Sequence, residues 1–433
     1  MTTTHRPWQH RLLPLLLVAL AGLLVAQPIL AQVEQGRLLL SAPDSLSLWR
    51  ADEDRLDQGR VAHYAAVHDV NVTPWDEDDA WELVDDQAFW SLRITSPGAL
   101  SLSLAFERFR MPEGGELEIV SADGERVGPF TSEDNEAHGQ LWTPPLVGDE
   151  LTLELRVGVD QLDDLELRLR RIHHGYAGFG EPPPRSRECH RNVACSEAEE
   201  WADQSRSVAL ISVAGVRFCS GFLVNNTALD GRPLFMTAAH CGITEKNAPS
   251  VVVMWNFQTN TCDSKVAPTE TQGGFQTGAT LRAVHRPTDT TLIELDDAPS
   301  PELGVFYAGW DRSVTVPEQA TVIHHPNTDV KRISFDFDPL TATKHLEDTA
   351  SARANHLRIA SWDLGSTEGG SSGAPLFNAD RRVVGQLHGG WASCGNKRSD
   401  WFGRFAMAWQ KLSRWLDPIG SDAVVLDGLD SLR

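Results

Sequence analysis

Short segments that alternate apolar and polar residues run through most of this chain, and a period of two suits a strand with one buried face but not a helix. Leu100-Ser101-Leu102-Ser103-Leu104 and Leu151-Thr152-Leu153-Glu154-Leu155-Arg156-Val157 show it most clearly, set between Pro and Gly turns. Residues 32 to about 174 therefore predict a β-sandwich. From residue 189 onward, apolar and β-branched runs (208–213, 251–254, 291–295, 382–387) again alternate with turns, and helical periodicity stays weak until Trp409 to Leu416. An all-β unit with one short C-terminal helix is expected there. Between the two units, GYAGFGEPPPRSR (Gly175 to Arg187) concentrates Gly, three successive prolines and two arginines, the composition of an extended linker and cleavage zone. At 433 residues the chain is long enough for each unit to bury its own core.

The start of the chain reads as an export signal. Arg6 and Arg11 precede an apolar run from Leu12 to Val25, and Ala31 stands at a suitable signal-peptidase position. The run falls short of the roughly 20 residues that span a bilayer, and Pro14 and Pro28 interrupt its margins, so no stable membrane anchor is expected. All six cysteines (Cys189, Cys195, Cys219, Cys241, Cys262, Cys394) follow residue 188, an even set that predicts three disulfides in an exported protein. None forms a C-x-x-C pair, so no metal site is expected. The net charge of -22 excludes a phosphate-neutralising surface and with it nucleic-acid binding, and it suits a cationic substrate. Residues 32–188 hold 32 acidic and 14 basic residues, with no lysine and no cysteine.

Three strings carry chemistry. Thr237-Ala238-Ala239-His240-Cys241 follows the apolar Leu234-Phe235-Met236, which places His240 at the end of a buried strand. Gly369-Gly370-Ser371-Ser372-Gly373-Ala374-Pro375 offers a hydroxyl at Ser372 among glycines that permit unusual backbone angles. Asp289 stands between the two strings, just before the apolar Thr290 to Leu295. A base, a nucleophile and a carboxylate that fixes the base's tautomer are the parts of acyl transfer by serine. Asp296 and Asp297 follow the strand and read as turn carboxylates, and His285, His324 and His325 read as structural.

In these strings the chain resembles the trypsin family, with its G-x-S-G-x-P pattern and its order His, Asp, Ser. The resemblance implies a two-barrel fold, a His240, Asp289, Ser372 triad, and an oxyanion hole made by the N–H groups of Gly370 and Ser372. Val383-Val384-Gly385-Gln386-Leu387-His388-Gly389-Gly390 and Arg398-Ser399-Asp400-Trp401-Phe402-Gly403-Arg404 resemble, more narrowly, bacterial lysyl endopeptidases. That likeness implies Asp400 as the carboxylate of the S1 pocket and His388 as a pocket residue beside the triad. It also implies the pairs Cys189–Cys394, Cys195–Cys262 and Cys219–Cys241, out of the 15 connectivities that spacing alone allows. Ser371 stands where trypsins carry the aspartate that receives a new N-terminus, so latency would come from the upstream region instead.

The expected protein is thus all-β: signal peptide 1–31, acidic β-sandwich-like pro-domain 32–174, linker 175–187, two-barrel trypsin-like serine protease domain 188–419, and tail 420–433. Its expected action is cleavage after Lys and also Arg, without cofactor, by a secreted monomer, extracellular or periplasmic in transit. Its partners would be protein or peptide substrates and its own pro-domain. Two alternatives carry weight. A glutamyl endopeptidase would use His388 to hold a carboxylate, although that group has its histidine one position earlier and Asp400 would repel glutamate. A non-catalytic protease-fold binding protein would ordinarily lack one of the three residues that are all present here.

Overall fold

The computed structural model describes residues 33–57, 61, 63–77, 80–178, 189–263, 274–351 and 354–431. The expected signal peptide and most of the expected linker lie outside the described residues. Among the described residues, no helix is long and apolar enough to cross a membrane.

The alternating segments upstream form two facing sheets. One runs, in spatial order, Val33–Glu34, Arg37–Leu39, Gln87–Thr95, Glu150–Gly158, Glu116–Ser121 and Arg126–Phe130, with Trp81–Val84 beside Gln87–Thr95. The other runs Leu146–Val147, Ser101–Arg110, Glu166–Gly175 and Ala65–Val72, with Leu141–Trp142 beside Ser101–Arg110. Leu92, Ile94, Leu104, Ile119, Leu151, Leu153 and Ile172 meet between them, all fully buried. This is the sandwich that the alternation predicts.

Two features depart from that reading. Ser45–Asp57 is a helix inside the region read as all sandwich. Asp44 caps it, its Oδ1 accepting from the Ser47 N–H at 3.4 Å, while the alternation of Leu46 and Leu48 imitates a strand. Strand Ser101–Arg110 is also buried on both faces through its first six residues, so Ser101 and Ser103 do not face water. Its outer face meets the rest of the chain, where Tyr64, Ala65, Ala105 and Trp142 pack with Leu210, Phe218, Val252 and Met254 in one apolar cluster. At the edge of this contact His138 Nε2 lies 3.0 Å from Asp296 Oδ2, so Asp296 is a cross-region partner and not an ordinary turn carboxylate.

Downstream, among the described residues, two large sheets dominate beside a small pair, Phe306–Tyr307 with Leu429–Asp430. A seven-stranded sheet runs Phe275–Thr277, Val252–Met254, Val208–Val213, Arg217–Leu223, Leu234–Ala238, Thr290–Leu295 and Ala279–His285. The second, of ten strands, has at its centre Arg332–Asp336, Ala320–His324, Pro375–Phe377, Val383–Gly390, Asp400–Arg404 and His356–Ile359. Together they make the two-barrel, trypsin-like part of an all-β protein. Disulfides join Cys189 to Cys394, Cys195 to Cys262 and Cys219 to Cys241. The C-terminal helix, Phe405–Leu416, starts four residues earlier than the periodicity predicts and buries Phe405, Ala408, Leu412 and Leu416 as one stripe. Lys331 is wholly buried near the entry to the second sheet, its ammonium donating to the Ser205 carbonyl at 2.7 Å.

Candidate active site

Strand Leu234–Ala238 is buried throughout and ends in a single tight turn, Ala239–Cys241, stopped by Gly242 at φ +82°. The turn projects His240 while the Cys219–Cys241 bond ties its far end to the neighbouring strand. Asp289 closes another short turn, Arg286–Thr288, with φ +54°, a left-handed conformation that aspartate tolerates better than most residues. Asp289 holds the histidine at several points. Its carbonyl accepts from Ala239 N–H at 2.8 Å, its Oδ1 accepts from His240 N–H at 2.9 Å, and its Oδ2 lies 2.5 Å from His240 Nδ1. On the other side of the ring, His240 Nε2 is 2.8 Å from Ser372 Oγ. A carboxylate on Nδ1 keeps the proton there, which leaves the Nε2 lone pair for the serine hydroxyl.

The segment around Ser372 is pinned peptide by peptide. The Gly370 carbonyl accepts from Ser220 Oγ at 3.0 Å, the Ser371 carbonyl from Ala374 N–H at 3.0 Å, and the Ser372 carbonyl from Ser220 N–H at 2.9 Å. A trans peptide directs its N–H opposite to its C=O, so the Ser372 N–H turns away from Ala374. Gly370 sits at φ +88°, and a Cβ there would fall 2.6 Å from the Phe218 ring and 2.9 Å from the His325 carbonyl. Only glycine fits. Ser371, fully buried, points the other way and pairs with His324 Nδ1 at 2.7 Å.

Asp400 is 1% exposed. Its Oδ2 accepts from Trp362 Nε1 at 2.7 Å and from Thr367 Oγ1 at 2.6 Å, and the Ala392 backbone adds a further bond. Burial nonetheless pushes its carboxyl up to about 6, with those bonds opposing the shift. Gly390 pairs with Asp400 across the strands, and a Cβ at that glycine would come 2.6 Å from Asp400 Oδ1. The glycine keeps the space beside the carboxylate clear.

His388 lies against the His240–Asp289 pair. Its ring stacks on His240 with centroids 5.7 Å apart and on His345 at 3.6 Å, and its Nε2 is 3.8 Å from Asp289 Oδ2. His356 Nδ1 faces Asn355 Oδ1 at 2.9 Å and must donate, so His356 Nε2 accepts from His388 Nδ1, also at 2.9 Å. That leaves a lone pair, and no proton, on the nitrogen nearest Asp289. Burial holds both His356 and His388 down to about 3, so both rings are neutral.

The sequence reading missed His345 and His356, which arrive from a distant loop and strand. It also missed Gln386, fully buried, whose Nε2 donates to the carbonyls of Thr288 at 2.7 Å and Asp289 at 3.1 Å. Gln386 stands two residues before His388, but a register shift between Leu387 and Gly389 breaks the strand's alternation there, so spacing alone did not point to it. His285, His324 and His325 lie outside the His240–Ser372 contact, with His324 and His325 buried behind it.

A two-barrel fold that sets a histidine between a buried carboxylate and a serine hydroxyl defines a serine endopeptidase. The family model for the lysyl endopeptidase C-terminal domain matches residues 184–403, and that for the lysyl endopeptidase N-terminal domain matches 50–176. The chain belongs to the lysyl endopeptidase family. It is 27% identical over 357 residues to a lysyl endopeptidase of Pseudomonas aeruginosa, covering 75% of this chain and 74% of that protein. Among solved structures it is similar to a mutant of human heparin binding protein, at 16% identity and TM-score 0.36, over 57% of this chain and 98% of that one. It is also similar to the active form of the Rv3671c protease of M. tuberculosis, at 15% identity and TM-score 0.32, over 54% and 92%.

Proposed function

We propose that the protein is a secreted zymogen whose protease domain, residues 188–419, hydrolyses peptide bonds after Lys, and also Arg, through an acyl-enzyme. The hydrogen-bonded line from Asp289 through His240 to Ser372 carries this reading. Ser372 Oγ attacks the carbonyl carbon as its proton passes to His240 Nε2. Asp289 stabilises the imidazolium, and the N–H groups of Gly370 and Ser372 receive the oxyanion, each worth about 3 kcal/mol in such sites. The imidazolium then protonates the leaving amine as the C–N bond breaks, and water, deprotonated by the same ring, releases the acyl group.

Specificity follows from Asp400, which is buried, ringed by donors and left room by Gly390. A Lys or Arg side chain reaching it replaces solvent with a charge-assisted bond. A glutamate would bring a second negative charge into the same dry space. His388 is better suited to supporting the triad than to receiving a substrate carboxylate, since one of its nitrogens is committed to His356 and the other faces Asp289. The region 32–174 is proposed as the pro-domain and intramolecular partner, and the three disulfides suit export. Labelling with a fluorophosphonate tests the chemistry: a single adduct at Ser372 is expected, with none in Ser372→Ala and no peptidase activity in that variant. An active Ser372→Ala enzyme would overturn the assignment.

A further inference from the structure

The oxyanion reading requires that the Gly370 N–H point into the site, which depends on how the Gly369–Gly370 peptide is turned. The carbonyl of that peptide accepts from the backbone N–H of Asn327 at 2.6 Å, so its N–H is directed the opposite way. Asn327 stands at φ +50°, a left-handed conformation open to Asn and Gly but unfavourable for most residues. Its side-chain amide donates to Glu368 Oε2, one residue before the same peptide. Glu368 is seated in turn: its Oε1 accepts from Cys394 N–H at 3.2 Å, and His190 Nε2 lies 3.3 Å from its Oε2.

A second set of bonds fixes the other end of the turn. Ser334 Oγ donates its proton to the Ser366 carbonyl at 2.8 Å, so His324 Nε2, 3.2 Å away, must donate to Ser334. His324 is fully buried, and burial, with the Arg332 charge nearby as a smaller cause, holds its pKa well below the usual value, so the ring carries one proton. Its Nδ1 is therefore an acceptor, which Ser371 Oγ satisfies at 2.7 Å while receiving Glu368 N–H at 3.1 Å. No proton in this circuit is duplicated or missing.

We infer that Asn327, seated by Glu368, is a positioning residue that keeps the Gly369–Gly370 peptide turned so that its N–H serves the oxyanion. This rests on the proposed reading of Gly370 and Ser372 as the donors. The clamp is in place in the uncut chain, where the Thr328 hydroxyl next to Asn327 also donates to the Gly178 carbonyl at 2.7 Å. Loss of the clamp frees the peptide to rotate. The cost falls on the transition state, because the ground-state substrate is held elsewhere.

The test compares three variants with wild type in mature enzyme. Asn327→Asp sets a carboxylate against Glu368. Asn327→Asp combined with Glu368→Gln removes that repulsion, and Asn327→Gly keeps the left-handed backbone while deleting only the amide. For Asn327→Asp we expect kcat on a P1-Lys amide to fall roughly 10- to 100-fold, somewhat less than outright loss of an oxyanion donor. A peptide aldehyde, which forms the tetrahedral adduct, should lose affinity by a similar factor. KM and the Ki of benzamidine, which reports the Asp400 pocket alone, should stay within about twofold on a difference of a few tenths of a kcal/mol. Asn327→Gly should show a smaller loss of the same kind, and the double variant should recover most of the activity. Wild-type kcat and aldehyde binding in Asn327→Asp would overturn the inference, as would equal losses for benzamidine and aldehyde in both single variants. If Ser372→Ala kept its activity, the reading of the site itself would fall. An inactive Ser372→Ala beside an unaffected Asn327→Asp would sink only the clamp.

Discussion

Two adjacent serines divide the labour at the nucleophile turn, and their difference is a matter of direction. Ser372 Oγ meets His240, whereas Ser371 Oγ faces inward, between His324 and the Glu368 backbone. Removing the Ser371 hydroxyl breaks its bond to the buried His324 nitrogen and its bond from the Glu368 N–H, at a cost of about 1–3 kcal/mol each when no water replaces it. Ser371→Ala should therefore lower the thermal midpoint by several degrees and reduce kcat less than about tenfold, a far smaller loss than any triad deletion brings. Calorimetry together with steady-state kinetics on the one variant checks both halves. A Ser371→Ala enzyme as stable as wild type would mean that the buried pair contributes nothing.

Among the elements, the strand from Arg332 onward is entered through Lys331, whose ammonium donates, among the described residues, to the Ser205 carbonyl alone. Burial pulls its pKa down to about 7 from 10.5. The unfolded chain then binds more protons than the folded one between about pH 7 and 10, so this residue lowers stability below pH 7 and the penalty fades as pH rises through that window. Lys331→Met should raise the melting temperature more at pH 6 than at pH 9, by a difference of about 3 kcal/mol in stability. Equal shifts at the two pH values would show that the amine is protonated, or solvated, in both states. Elements also mark how far the sequence could be read. Period two identified the long strands because most of them have at least one buried face, and TAAHC and the glycine-serine turn were legible because their function is written in a few consecutive residues. Ser45–Asp57 was not, since Leu46 and Leu48 mimic a strand. His345, His356 and Asn327 reach the site from separate loops and strands and have no local pattern around them. Sequence spacing had no means of bringing them together.

At the scale of the whole molecule, the acidic upstream sandwich and the protease part share an apolar contact around Tyr64, Trp142, Phe218 and Leu210, and no disulfide joins them. Processing of the proposed zymogen would cut the chain upstream of Cys189, in a stretch that lacks lysine. Of the four arginines near that boundary, Arg170 and Arg171 sit inside the paired strand Glu166–Gly175, where a protease would have to unzip the sheet. Arg185 and Arg187 remain. N-terminal sequencing of the mature product should begin at Ser186 or Glu188, and Ser372→Ala precursor should stay uncut in a host without other proteases. A cut at Arg170 or Arg171, or maturation of the Ser372→Ala precursor, would contradict self-processing by this route. The whole molecule exists, on this reading, to present one buried carboxylate to a cation beside a reactive serine. The most direct measurement is kcat/KM for matched substrates with Lys, Arg, Leu or Glu before the scissile bond, on wild type and Asp400→Asn, between pH 5 and 9. Asp400→Asn should lose about 2–5 kcal/mol, or roughly 30-fold to several thousand-fold, on Lys and Arg substrates and little on Leu. Wild type should lose activity on Lys substrates more steeply than on Leu substrates as pH falls through about 6, where Asp400 takes up its proton. Equal losses across all four substrates, or an unchanged Lys preference in Asp400→Asn, would contradict the assignment.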